Sequence, residues 1–211
     1  MDRARPISSR LDPESQAPVE DMLGKNMPTT LVVGLGNLLR GDDGVGVRVA
    51  QALAERDLPE GVEVVDAGMP GLGLVGLIEG CQHVLVVDAA NVNRVPGTFV
   101  RFTADELLLG SVSQSLSIHA AGLQDALLLA QALDVLPREM VVFGVQPANL
   151  DWDSSLSPEV QASLPGLVEA VLAEVKSMPG NRRDGPGQLS RRSFCVKLHQ
   201  EGESHGKDFD D

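Results

Sequence analysis

Short apolar runs rich in β-branched residues return along the chain with helix-length stretches between them. This alternation restricts the fold more than any other feature. TLVVG (30–34), VEVVD (62–66), HVLVVD (83–88) and MVVFGV (140–145) each read as a buried strand. Between them, 43–56 carries Val45, Val49, Ala50 and Leu53 on one helical face, and 119–134 is also helical. Residues 71–79 read as a helix weakened by three glycines, and 158–176 as a helix interrupted around Pro165. GTFVRF (97–102) alternates as an edge strand does. Strands alternating with helices build right-handed βαβ units. The expected fold class is therefore α/β: three layers, a mostly parallel twisted sheet of about five strands with helices on both faces.

These signals stop at both ends. Residues 1–28 and 177–211 are rich in Pro, Ser, Gly and mixed charge without periodicity. They predict a disordered leader, one domain over 29–176 and a disordered tail. Met27 precedes the first strand, so an internal start there fits. The formal charge of the 211 residues is −13, and nearly all of it sits on 31–176, with nineteen acidic and seven basic side chains. Phosphate backbones and anionic lipid repel such a chain. Aromatic residues are 3 % with no Tyr, too few for a base-stacking platform. Neither nucleic acid nor membrane is an expected partner. The N-terminus has no apolar core of a secretory signal, and no apolar run nears the ~18 residues of a membrane span. Cys81 and Cys195 are isolated, which excludes a disulfide framework and a paired-thiol metal site. A cytoplasmic monomer is expected.

The segment LVVGLGNLLRGDDGVGVR (31–48) runs from a strand through a glycine-rich turn into a helix, the geometry of a phosphate loop. Its residues argue against one. Leu39 stands where the dinucleotide pattern needs a third Gly, and no lysine occurs between Lys25 and Lys176. Asp42 and Asp43 place two carboxylates where the anion would sit, an arrangement suited to a cation. One of the two is accounted for as a helix cap, which leaves the other. Asp88 ends a strand and faces the crevice where open α/β sheets bind ligands; Asp66 ends another and is its rival. His119 opens a helix, whose N-terminus disfavours imidazolium and keeps the ring neutral, the form a metal takes. His83, His199 and His205 are weaker candidates. Asp43, Asp88 and His119 all fall at junctions that a parallel sheet gathers on one edge. Two carboxylates and an imidazole make an incomplete shell for a borderline transition metal.

Five segments in series carry a resemblance: GLGNLLRGDDGVGVR, VVDAGMPGLGLVGLIEG, HVLVVDAANV with VPGT, SIHAAGLQDAL and FGVQPANLDWDSSLSPEV. Across 31–176 the chain resembles the hydrogenase maturation endopeptidases, which trim the C-terminus of the large subunit of nickel–iron hydrogenases after nickel insertion. The resemblance implies a twisted sheet flanked by helices. It implies nickel contacts at Asp43, Asp88 and His119, with nickel carried by the substrate and the large-subunit precursor as partner. Asp43 stands where some members have Glu, one methylene longer. The leader and tail depart from the compact pattern. Neither a Ser/His/Asp constellation nor H-E-x-x-H is present. Catalysis at Asp43, Asp88 and His119 is thus left with two routes: a metal that polarises the carbonyl or activates water, or an aspartate acting as general base with nickel as anchor. The rival readings are a non-catalytic nickel-binding accessory protein, a nucleotide-binding regulatory module, and another metal-dependent hydrolase on the same scaffold.

Overall fold

The computed structural model describes residues 29–109 and 118–178, with backbone alone at 118–121. The leader and all of the tail beyond Met178 lie outside the described residues.

Five strands form one sheet: β1 (Thr30–Leu35), β2 (Val62–Gly68), β3 (His83–Ala89), β4 (Phe99–Thr103) and β5 (Glu139–Val145), in the order β2-β1-β3-β5-β4. The pairs β1–β2, β1–β3 and β3–β5 are parallel; the edge strand β4 runs antiparallel to β5. Helices α1 (Val45–Ala54) and α5 (Pro158–Ser177) cover one face. Helices α2 (Leu74–Ile78), α3 (Ala104–Leu108) and α4 (Ile118–Ala132) cover the other.

Strand parity divides the core in two. Val32, Val64, Leu85, Val87, Val141 and Phe143 point toward α1 and α5. Leu31, Val33, Val65, Val84, Val86 and Val142 point toward α2 and α4. The central strands bury both faces, which is why they read as continuous apolar runs. The chain leaves β1 toward β2 over one face, then returns past β1 to β3 over the other. Right-handed crossovers in opposite directions place their helices on opposite faces. The β1–β3 boundary is therefore the topological switch point of the sheet.

Four elements depart from the sequence reading. The helix expected over 43–56 begins with a 3-10 turn, Gly41–Gly44, and that over 71–79 with another, Gly71–Gly73. Helix α5 is continuous through Pro165, because Pro165 lies on the solvent side, where water can donate to the Gln161 carbonyl that the missing proline N–H leaves without its helical donor. Met178, directly after α5, is buried in the α1/α5 core. Finally, the short helix α3 is held by a reciprocal capping box of Thr103 and Glu106 that was not read from TADE. Among the described residues no helix is long and apolar enough to cross a membrane.

Candidate active site

The switch point is where the turn after β1 and the end of β3 meet, with Gly34 in register with Val87. The 3-10 turn lies against these strand ends only because three residues lack a side chain. A Cβ on Gly34 would come 2.3 Å from the Gly46 carbonyl oxygen, and one on Gly46 2.1 Å from that of Val87. A Cβ on Gly36, whose φ is +122°, would come 1.7 Å from the Asp43 carbonyl oxygen. The glycines of GLGN and GVG thus serve close packing rather than a phosphate. They carry Asp43 to the top of β1 and β3.

The adjacent aspartates part there. Asp42 is fully buried, and its two oxygens accept the amides of Ala148 (2.8 Å), Asn149 (2.9 Å) and Ser157 (2.6 Å). It fastens the segment after β5, 146–157, to the turn after β1. Backbone bonds add to this: the Gly41 amide to Asp153 O, the Asp42 amide to Asn149 O and the Asp153 amide to Leu39 O. The Arg40 guanidinium donates to Leu150 O as well. Asp42 is the structural member of the pair. Asp43, also buried, accepts the Asn37 amide through Oδ2 at 2.9 Å, which ties it to the glycine turn.

Asp88 lies on the face of Val84 and Val86, toward α4, and is 3 % exposed. Its Oδ1 is buried with no hydrogen-bond partner among the described residues. Burial and, after it, the nearby Asp43 carboxylate push its carboxyl up to about 8; the Ala89 amide pulls weakly the other way. A buried carboxyl whose ionisation is opposed by burial and by a neighbouring carboxylate makes a site that a cation would relieve. Among the described residues Asp88 is the one ionisable side chain lining a cavity of about 160 Å³, walled by Leu35, Met69, Pro70, Leu74 and Leu123 and by Gly36, Gly68, Gly71 and Gly122.

The rival carboxylate is elsewhere. Asp66 shares the parity of Val64, faces α1, and accepts the Gln51 amide group at 3.4 Å. His83 begins β3 at the opposite end of the sheet, its Nε2 4.0 Å from Glu139. His119 is the second residue of α4, and Gly122, one turn on, lines the Asp88 cavity. The His119 side chain lies outside the described residues, as do His199, His205 and Cys195, so the three-residue cluster is joined here only through Asp43 and Asp88. Cys81 is buried and free, its thiol raised to about 11 by burial. Gln146 was not read from the sequence. Its Oε1 accepts the amides of Val92 and Arg94, which shapes the 90–97 loop beyond Asp88. The only signal for it was its place directly after β5.

Comparison with known proteins agrees with this fold. The sequence profile of the hydrogenase maturation protease family matches residues 47–174. The chain is 38 % identical to the hydrogenase expression/formation protein HupM of Azotobacter chroococcum, over 82 % of this chain and 85 % of that protein. It is 33 % identical to the hydrogenase 2 maturation protease of Escherichia coli, over 69 % and 90 % of the two chains. The solved structure of the hydrogenase maturating endopeptidase HybD from E. coli superposes with a TM-score of 0.63, covering 70 % of this chain and 91 % of that one. The maturation protease HybD from Thermococcus kodakarensis, 29 % identical, gives 0.60 with 70 % and 99 % covered. Three of these relatives are named as proteases or endopeptidases, which favours the endopeptidase reading over the accessory-protein one. With a five-stranded, mostly parallel sheet and paired carboxyls at its switch point, the chain belongs to the hydrogenase maturation protease family and is an endopeptidase.

Proposed function

We propose that this endopeptidase removes the C-terminal peptide of a nickel–iron hydrogenase large-subunit precursor after nickel insertion, and that Asp43, Asp88 and His119 contact the nickel the precursor carries. The observation that carries the reading is the Asp43–Asp88 pair. Its members are buried at the switch point, Asp88 is held largely protonated near neutral pH, and Asp88 Oδ1 has no partner among the described residues. A divalent ion would supply the positive charge that offsets the burial of the Asp88 carboxylate. His119, at the N-terminus of α4, would add a neutral imidazole. Two oxygens and a ring nitrogen suit a borderline metal and leave positions for the precursor's own ligands.

The arrangement makes cleavage conditional. Without nickel, like-charged or protonated carboxyls face the substrate with no cation between them. With nickel, the charged form of Asp88 would be favoured, and the scissile bond would be held beside the metal. Two routes serve the chemistry: the nickel would polarise the peptide carbonyl or activate water, or an aspartate of the site would act as general base for water with nickel as its anchor. The protein acts as a cytoplasmic monomer on this partner.

The test is to incubate the full chain with purified precursor, nickel-loaded or metal-free, and weigh the product. Trimming of the loaded precursor alone is expected; equal trimming of both ends the proposal. Asp43→Asn, Asp88→Asn and His119→Ala should each slow processing by about a hundred-fold or more.

A further inference from the structure

Among the described residues nine large apolar side chains stand exposed, and five of them lie on the loops at the carboxyl ends of the parallel strands. Leu39 follows β1, Met69 and Leu72 follow β2, Val95 follows β3 and Trp152 follows β5. Trp152 is 80 % exposed and Val95 74 %. These loops are fastened in place. The Asp153 amide donates to Leu39 O at 3.1 Å, bringing the Trp152 segment alongside Leu39. Gln146 holds the loop that carries Val95. Met69 is itself a wall of the Asp88 cavity.

We propose that this apolar ring is a docking surface for the folded body of the precursor beside its scissile segment; the proposal rests on the processing reading above. Three observations select that occupant. The ring follows four adjacent strands, about 14 Å across at ~4.8 Å per strand, which is wider than a single extended peptide. It is continuous with the carboxylate site, so what seats on it presents its chain to Asp43 and Asp88. The ring is also depleted of charge on an acidic molecule. Outside the buried carboxylates its loops hold Arg40, Arg94, Asp151 and Asp153, which cancel. The remainder of 31–176 holds five basic and fourteen acidic residues. The matching surface is apolar and near neutral, with Trp, Leu and Met as the anchoring side chains such interfaces favour. A second copy of this chain would bring two acidic bodies together and close both sites.

The test uses the full chain and nickel-loaded precursor, with Trp152→Glu and Leu72→Glu as ring variants. Leu133→Glu is the control, since Leu133 is exposed just beyond α4 at the far end of the sheet. Each ring variant should raise KM about ten-fold or more with kcat held within about two-fold, while the control changes neither. Immobilised precursor should retain the wild type and release the ring variants. Unchanged KM and retention in the ring variants, or a fall in kcat alone, overturns the docking surface. Retention by the wild type without any cleavage would leave the docking surface standing and overturn the processing reading. Self-association of the wild type in sedimentation that Trp152→Glu abolishes assigns the ring to a second copy and overturns the proposal.

Discussion

Three backbone amides from two distant turns converge on the Asp42 carboxylate, which is buried from solvent. Asp42→Asn replaces one accepting oxygen with a donor facing an amide. It should cost about 2–4 kcal/mol, read by chemical denaturation. Asp43→Asn should cost far less, because it removes repulsion with Asp88, yet it should abolish processing. Both residues were visible as a pair in GDDG. Which one the fold uses was not, because the answer depends on amides more than a hundred residues away. Asp88 carries a pH signature. Its carboxyl rises from the ordinary 3.8 to about 8 on folding, so the folded state binds its proton more tightly than the unfolded chain does. The penalty is absent below about pH 4 and grows as pH climbs to about 8. Metal-free protein should therefore melt at lower temperature at pH 8 than at pH 5, and Asp88→Asn should flatten that difference in a thermal scan.

Helices and turns hold these side chains through glycines whose purposes differ. Gly36 has a left-handed φ and no room for a Cβ, so Gly36→Ala should lower both stability and activity by displacing Asp43. Gly122 is the opposite case. It lies inside α4, no described atom is within 4 Å of where its Cβ would be, and it lines the Asp88 cavity. Alanine is better than glycine in a helix by about 1 kcal/mol, so Gly122→Ala should raise the melting temperature. By narrowing the cavity it should slow processing in a mass-resolved time course. The strands were legible in sequence because burial on both faces gives unbroken apolar runs. Helix starts were less so: the 3-10 turns at 41–44 and 71–73 depend on packing against strand ends, which no local periodicity reports. Pro165 misled for a related reason. A proline breaks a helix where its lost bond is buried, and on α5 it faces water.

For the whole molecule, strand order settles what strand existence alone leaves open. Alternation predicted an α/β sheet, but the switch point between β1 and β3 follows from the order β2-β1-β3-β5-β4, and it is what unites Asp43 with Asp88 and excludes Asp66. Charge is partitioned on the same scale, with the acidic surplus away from the loops that follow the parallel strands. If those loops seat the precursor, KM should change less than about three-fold between about 50 and about 300 mM salt, since steering between charged faces is what salt screens. The chain holds one tryptophan and no tyrosine, and that tryptophan stands on the ring. All of its indole emission therefore originates at one spot. A client prepared without fluorescent aromatic residues would turn the native, unlabelled enzyme into its own optical sensor of encounter, blue-shifting as solvent leaves Trp152 and reverting when the trimmed product departs.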